Sequence, residues 1–416
     1  MTTQARTAAG TATHSPTHAP AHSPGHSSLH AATPDTVLTS RQLTLMAVAA
    51  GVSVANVYYL QPLLRPLAAD FAVSPAAAGL LPTLTMVGYA LGLLLIVPAA
   101  DRVGVRRLGG RLNAVRTAAL VVLAAAPGYP VFAAASVVLG AASVLAQILL
   151  PAAVTLSAPA ATGRVTARIT AGLFGGIVGA RVLSGAVAGP LGWRAVYVIS
   201  ALLTVLLHLA LRGLPEPAAR TALPYRKLIG SLGPLWRQDR ALRRAVTIAA
   251  LGFAAFNLFW TAVTLYVTGA PHRWSPAAAG LLGLVGIAGT ATVLLVGRRL
   301  DQGRGRALTM GAAAAMTLAL LAAGSAGAAT PVLLGAALLL DSGARVSNLA
   351  NQSSALSGHP EARARLNTLY MTGYFTAGTA GSAAGALLLT HGGWPAACAL
   401  GALLSASAGL LAARRP

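Results

Sequence analysis

The eight residues Ser74–Leu81 (Ser-Pro-Ala-Ala-Ala-Gly-Leu-Leu) recur unchanged as Ser275–Leu282, 201 positions later. The same offset carries Gly51 onto Gly252, Asn56 onto Asn257, Gly104 onto Gly305 and Arg164 onto Arg365. It also carries Gly172 onto Gly373, Phe174 onto Phe375, and the pair Gly192 and Trp193 onto Gly393 and Trp394. A duplication of this length confines the chain to architectures made of two like halves. In an apolar chain, two such halves surround a shared path.

The chain is apolar: 56% of residues are hydrophobic and 9% are charged, against about 25% charged in a soluble domain. Its apolar runs reach the length of about 20 residues that crosses a hydrocarbon core of about 30 Å as helix. Twelve spans are expected, so the fold class is all-α membrane protein with two parallel six-helix repeats. The first six cover 42–63, 76–100, 110–127, 130–157, 167–190 and 193–212. The second six cover 244–268, 277–298, 307–327, 330–357, 366–390 and 394–413. Six spans per half give both halves the same sense in the membrane, so the repeat is parallel.

The net charge of +22 suggests a nucleic-acid partner, but its placement excludes one. Basic residues collect in alternate loops: Arg102 to Arg111 after span 2, Arg164 and Arg168 before span 5, eight between the halves, and Arg298 to Arg306 after span 8. The opposite loops hold only Arg65, Arg194 and Arg273. This positive-inside asymmetry places both termini of a multi-pass protein in the cytoplasm, and the cell inner membrane is its expected location. The expected division is a His- and Pro-rich disordered cytoplasmic tail (1–35), a helical bundle (36–212), a cytoplasmic linker (213–243) and a second bundle (244–416). In the tail His14, His18, His22, His26 and His30 alternate with prolines, which forbid the helix that would stack them. Cys398 is the only cysteine, so no intrachain disulfide forms.

After span 2 the chain reads Asp101-Arg102-Val-Gly104-Val-Arg106-Arg107, and after span 8 it reads Asp301-Gln-Gly303-Arg304-Gly305-Arg306. An acid at a helix end, a glycine-permitted turn and paired basics make a tight hinge at the membrane surface. With these two loops the chain resembles the major facilitator superfamily over residues 40–413. Ala stands where the first Gly of that family's motif would be in the N-terminal copy. The run Ala55 to Pro62 (Ala-Asn-Val-Tyr-Tyr-Leu-Gln-Pro) is similar to the close of span 1 in a bacterial efflux subgroup of twelve-span transporters. The stretches Arg363 to Met371 and Leu191 to Tyr197 resemble that subgroup too. The resemblance implies that spans 1, 4, 7 and 10 line a central cavity and that the halves rock about a midplane site. The family's drug/proton antiporters carry an Arg in span 4 four residues before a Gly. Here Ser136 precedes Gly140, a departure from that pattern.

Ionisable residues inside a membrane point to function. Those picked out here are Asp341 and Arg345 in span 10 and Arg181 in span 5. Asp341, Arg345, Asn348 and Gln352 share one helical stripe, and Gln147 occupies the matching face of span 4. Spans 1 and 7 offer Asn56 and Tyr59 against Asn257 and Trp260, with Phe253 beside them. Aromatic rings with polar handles suit amphipathic organic molecules, although the same residues also seal helix crossings. Tyr58 and Gln61 fall on other faces of span 1.

Asp341 has two readings: a structural ion pair with Arg345 or Arg181, or a carboxylate that exchanges a proton as the cavity changes side. The two arginines leave one positive charge in excess, which suits anionic, zwitterionic or neutral cargo. No intramembrane His cluster, metal-ligand spacing, paired acids or phosphate loop points to an enzyme, a cofactor or a primary pump. The expected function is a monomeric secondary transporter, an exporter of a small organic molecule with protons as coupling partner. An importer, symporter or uniporter is the alternative, and a receptor or scaffold a remote one.

Overall fold

The computed structural model describes residues 38–158, 161–213, 215, 224–326, 329–357 and 363–414. The expected tail over 1–35 lies outside them, as do the side chains of Asp101 and Asp301. Helical rods occupy all twelve expected spans. In the first half they are Ser40–Tyr58 continued by Leu64–Asp70 (span 1), Pro75–Leu95 (span 2) and Val105–Ala124 (span 3). Tyr129–Ala142 with Leu145–Thr155 (span 4), Thr162–Leu191 (span 5) and Trp193–Leu211 (span 6) complete it. In the second half they are Arg240–Thr268 (span 7), Pro276–Leu281 with Val285–Asp301 (span 8) and Gly305–Ala326 (span 9). Thr330–Ser357 (span 10), Arg363–His391 (span 11) and Gly393–Ala413 (span 12) follow. Tyr225–Gly230 and Leu232–Gln238 are short helices between the halves.

Among the described residues nine of these rods are long and apolar enough to cross a bilayer on hydropathy alone. Spans 3, 8 and 11 are the others. Arg106, Arg107, Arg111 and Arg116 charge span 3, span 8 is divided by the 3₁₀ turn Leu282–Leu284, and polar residues dilute span 11.

The repeated octapeptide is a helix start. Ser74 Oγ accepts from the Ala77 N–H at 3.2 Å, and Ser275 Oγ from the Ala278 N–H at 3.1 Å. Pro75 and Pro276 stand in the first turn, where a missing N–H costs nothing. The repeated Gly-Trp pair is a turn between consecutive spans. Gly192 at φ 78° and Gly393 at φ 74° take a left-handed conformation that a side chain resists. The indole of Trp394 donates to the Ala323 carbonyl at 2.8 Å, tying span 12 to span 9.

Span 5 lies backbone to backbone against two neighbours. A side chain at Gly172 or Gly176 would run into the carbonyls of Ala47 or Gly51 on span 1. Farther along, one at Gly185 would meet the Pro276 carbonyl of span 8. Small residues allow such approach, and dispersion between the backbones stabilises it in lipid. The two other glycines of this stretch, Gly175 and Gly179, have nothing near them. Gly176→Ala is therefore expected to destabilise the protein by about 1–3 kcal/mol through overpacking. Gly175→Ala should be neutral or mildly stabilising. Thermal unfolding in detergent separates the two, and equal melting temperatures would refute the crossing.

Candidate functional site

Span 1 breaks after Tyr58, and the 3₁₀ turn Gln61–Leu63 carries Pro62 near its start. Proline cannot supply the N–H that a continuing helix needs. The break re-aims Gln61 toward span 5, where its Oε1 accepts from Arg181 Nε at 2.7 Å. Arg181 is 1% exposed. Its guanidinium carbon lies 3.9 Å from the Trp260 ring centroid, 5.3 Å from that of Tyr58 and 5.8 Å from that of Phe256. Its aliphatic stem rests on Gly283, where a Cβ would come within 2.8 Å of the Arg181 Cβ. Span 1, span 5, span 7 and span 8 thus converge on one cation.

A turn deeper along span 8 sits the ion pair. Arg345 Nε donates to Asp341 Oδ2 at 2.5 Å and Arg345 Nη2 to Oδ1 at 3.2 Å, so both carboxylate oxygens are engaged. Asp341 is wholly buried. Span 8 makes room for it with glycine: a Cβ at Gly289 would overlap Asp341 Oδ2, and one at Gly286 would lie 3.4 Å from Arg345 Nη2. Across the divide between halves, the Arg345 guanidinium carbon stands 4.1 Å from the Phe174 ring centroid of span 5. Low dielectric strengthens such a pair and penalises either member alone.

The other expected lining residues separate into two groups. Phe253 stacks on Tyr374 at 3.8 Å between centroids and meets Phe375, whose ring lies 4.5 Å from Tyr89. Gln147 Nε2 donates to the Tyr89 hydroxyl at 3.3 Å, and the Tyr370 hydroxyl donates to Asn348 Oδ1 at 2.9 Å. These residues form an aromatic wall from span 4 to span 10 through spans 2, 11 and 7. Asn257 and Trp260 are buried on span 7, where Asn257 Nδ2 donates to the Phe253 carbonyl at 3.0 Å. Gln352 Nε2 donates to Asn367 Oδ1 at 2.9 Å, toward the far end of span 10.

Asn56 and Tyr59 face elsewhere. Asn56 Oδ1 accepts from Ser200 Oγ at 2.9 Å, at the crossing of spans 1 and 6. Tyr59 is buried beside that serine. Below them lies a cation that the reading of intramembrane charges missed. Arg116 of span 3 is 1% exposed, with Nη2 donating to Asn113 Oδ1 at 2.6 Å and Nη1 to Ser53 Oγ. An arginine six residues into an apolar stretch was the signal for it.

Of the hinge residues, Gly104 has φ 90° at the turn between spans 2 and 3, and Arg102, Arg106, Arg107 and Arg304 are exposed. Arg106 lines a small cleft with Asn113, His208 and Arg212. Arg306 Nε donates to the Ala412 carbonyl at 3.0 Å and Arg244 Nη2 to that of Leu411 at 3.0 Å, which caps the end of span 12.

The family profile described as Major Facilitator Superfamily matches residues 46–359. The uncharacterized transporter YgaY of Escherichia coli O157:H7 is 34% identical over 373 residues, covering 89% of this chain and 95% of that protein. A probable transporter of Streptomyces coelicolor is 33% identical over 360 residues, covering 86% and 84%. Among solved structures, the human organic anion transporter MFSD10 superposes with a TM-score of 0.69 at 18% identity, covering 90% of this chain and all of that one. The E. coli xylose transporter XylE, partially occluded and inward open, gives 0.68 at 14% identity over 88% and 95%.

Asp341→Ala would strand the Arg345 guanidinium in a dry site and is expected to cost about 3–5 kcal/mol. Adding Arg345→Met should recover most of that loss. A double-mutant cycle on thermal unfolding checks it, and additive losses would show the two side chains to be uncoupled.

Proposed function

The chain belongs to the major facilitator superfamily, and from that premise we propose that it exports a small organic molecule by alternating access driven by protons. The observation that carries this reading is the Asp341–Arg345 pair in the glycine-lined notch of span 8, facing Phe174 of the other half. A charge pair closed over by two helices from opposite halves is buried only while those helices stay together. When they part, water reaches Asp341, and its carboxylate can take a proton and release Arg345. Reclosure around a neutral Asp341 leaves Arg345 without its counter-charge, so the protonated and ionised forms favour different arrangements. That difference is what coupling requires.

The bundles over 36–212 and 244–416 are the rocking units in this scheme, joined by 213–243. The aromatic wall of Phe253, Tyr374, Phe375 and Tyr89, with Gln147 and Asn348 as polar handles, forms the substrate face. Asn257, Trp260 and Gln352 extend it. Asn56 and Tyr59 serve instead to seal span 1 against span 6. The hinge residues Asp101, Arg102, Gly104, Arg106, Arg107, Asp301 and Arg304 gate the basic end, which faces the cytoplasm by the asymmetry of the loops. Export is favoured by the likeness of residues 55–62 to the efflux subgroup. Ser136, where antiporters carry an arginine, favours the second reading of proton symport or uniport on the same scaffold.

Asp341→Asn keeps the shape of the side chain and an acceptor for Arg345, so the variant should fold and insert. In inside-out vesicles screened with a panel of small organic compounds, wild-type uptake should rise with an imposed pH gradient. The Asp341→Asn variant should lose that rise, at least about tenfold at saturating gradient. Full gradient-driven uptake by the variant would refute Asp341 as the coupling group.

A further inference from the structure

Arg181 and Arg116 are both buried arginines, and neither forms an ion pair with an acid among the described residues. They differ in what holds them. Both terminal nitrogens of Arg116 have acceptors, Asn113 and Ser53, within its own half. Arg181 spends Nε on Gln61, while Nη1 and Nη2 have no hydrogen-bond partner among the described residues. Asp341 attracts it electrostatically but makes no hydrogen bond to it, both carboxylate oxygens accepting from Arg345.

The matched place in the second half holds no cation. The residue at the repeat offset from Arg181 is Ser382, whose hydroxyl is satisfied by Thr261 Oγ1 at 2.9 Å. A neutral hydroxyl serves the packing there. A buried charge with unmet donors is costly, and two terminal nitrogens left without acceptors point to a ligand that completes them.

We propose that Arg181 is the anchor for a carboxylate on the transported molecule; this rests on the transport reading and names its substrate class. With Nε held by Gln61, the free edge of the guanidinium is the Nη1–Nη2 pair. Two parallel N–H groups on that edge match the two oxygens of a carboxylate. The rings of Trp260, Tyr58 and Phe256 around the guanidinium give a flat apolar body something to lie against. In this closed arrangement the π faces of those rings substitute for the anion. Separation of span 5 from span 8 at Gly283 would uncover the edge and let the carboxylate exchange with them. Arg181 and Arg345 together outweigh Asp341 by one positive charge, so cationic cargo is repelled and monoanionic cargo is neutralised.

The test is binding to the full-length protein in detergent, read as ligand-induced thermal stabilisation. The probes are benzoate, phenylacetate and cinnamate, each against its own carboxamide, which preserves shape and removes charge. In the wild type at least one carboxylate should bind tenfold or more tighter than its amide, a difference of about 1.4 kcal/mol. Arg181→Gln should erase that preference. Arg181→Lys, which keeps the charge but not the fork, should retain part of it and guards against a folding defect in the first variant. Equal affinities for acid and amide throughout the wild-type series would overturn the proposal, and so would a preference that survives in Arg181→Gln. Binding needs no flux, which keeps the two readings apart. A carboxylate preference without gradient-driven transport would sink the transport reading alone. Gradient-driven flux of neutral compounds, unchanged by Arg181→Gln, would sink the carboxylate anchor alone.

Discussion

Span 5 touches two neighbours with no side chain between the backbones, and the rest of the arrangement depends on those contacts. Gly172 and Gly176 hold it to span 1, within the same half, while Gly185 meets Pro276 of span 8 in the other half. Arg181 lies on the same helix one turn before Gly185, and its carbonyl blocks any side chain at Gly280. The cation is therefore built into the seam between halves rather than placed in a preformed hole. Lipid supplies no hydrophobic force between helices, so close packing of this kind carries much of the cohesion. Any movement that parts spans 5 and 8 must also change the surroundings of Arg181.

The duplicated halves solve the crossing of neighbouring spans in two ways. In the first half Gly140 of span 4 lies against span 2 so closely that a Cβ would strike the Thr85 carbonyl and approach the Tyr89 N–H nitrogen at 2.9 Å. No carboxylate could stand there. At the equivalent place in the second half, span 8 is loosened by its 3₁₀ turn and by Gly286 and Gly289, and Asp341 fills the space. The Gly140 site gives a rigid backbone contact and the Asp341 site a polar one. The matched crossings are thus packing in one copy and a charge pair in the other.

Much of this was legible in the chain itself. The repeat, the twelve spans and the charges Arg181, Asp341 and Arg345 needed only periodicity and composition. The octapeptide and the Gly-Trp pair turned out to be a capped helix start and a left-handed turn, both local and therefore kept in both copies for local reasons. The faces of span 1 were not legible. A regular helix projected from Asn56 puts Tyr59 on the lining and Gln61 off it, but the break before Pro62 turns Gln61 onto Arg181, while Asn56, within the unbroken helix, meets Ser200 of span 6. The glycines of span 8 were equally silent, since their three-residue spacing at 280, 283, 286 and 289 matches a 3₁₀ turn better than an α-helix. Tyr89, Tyr370 and Tyr374 could not be assigned to a wall without knowing which spans adjoin.

The most direct test of the central claim is the separation between spans 5 and 8 at the end where they now touch. Nitroxide labels fit at Gly189, which has open space around it, and at exposed Leu281, in a background with Cys398→Ser. Distance distributions in liposomes should contain two populations, a short one matching this structure and a longer one, with weights that shift with pH. A single short separation at every pH would contradict the account, because Arg181 and Asp341 would then never be uncovered.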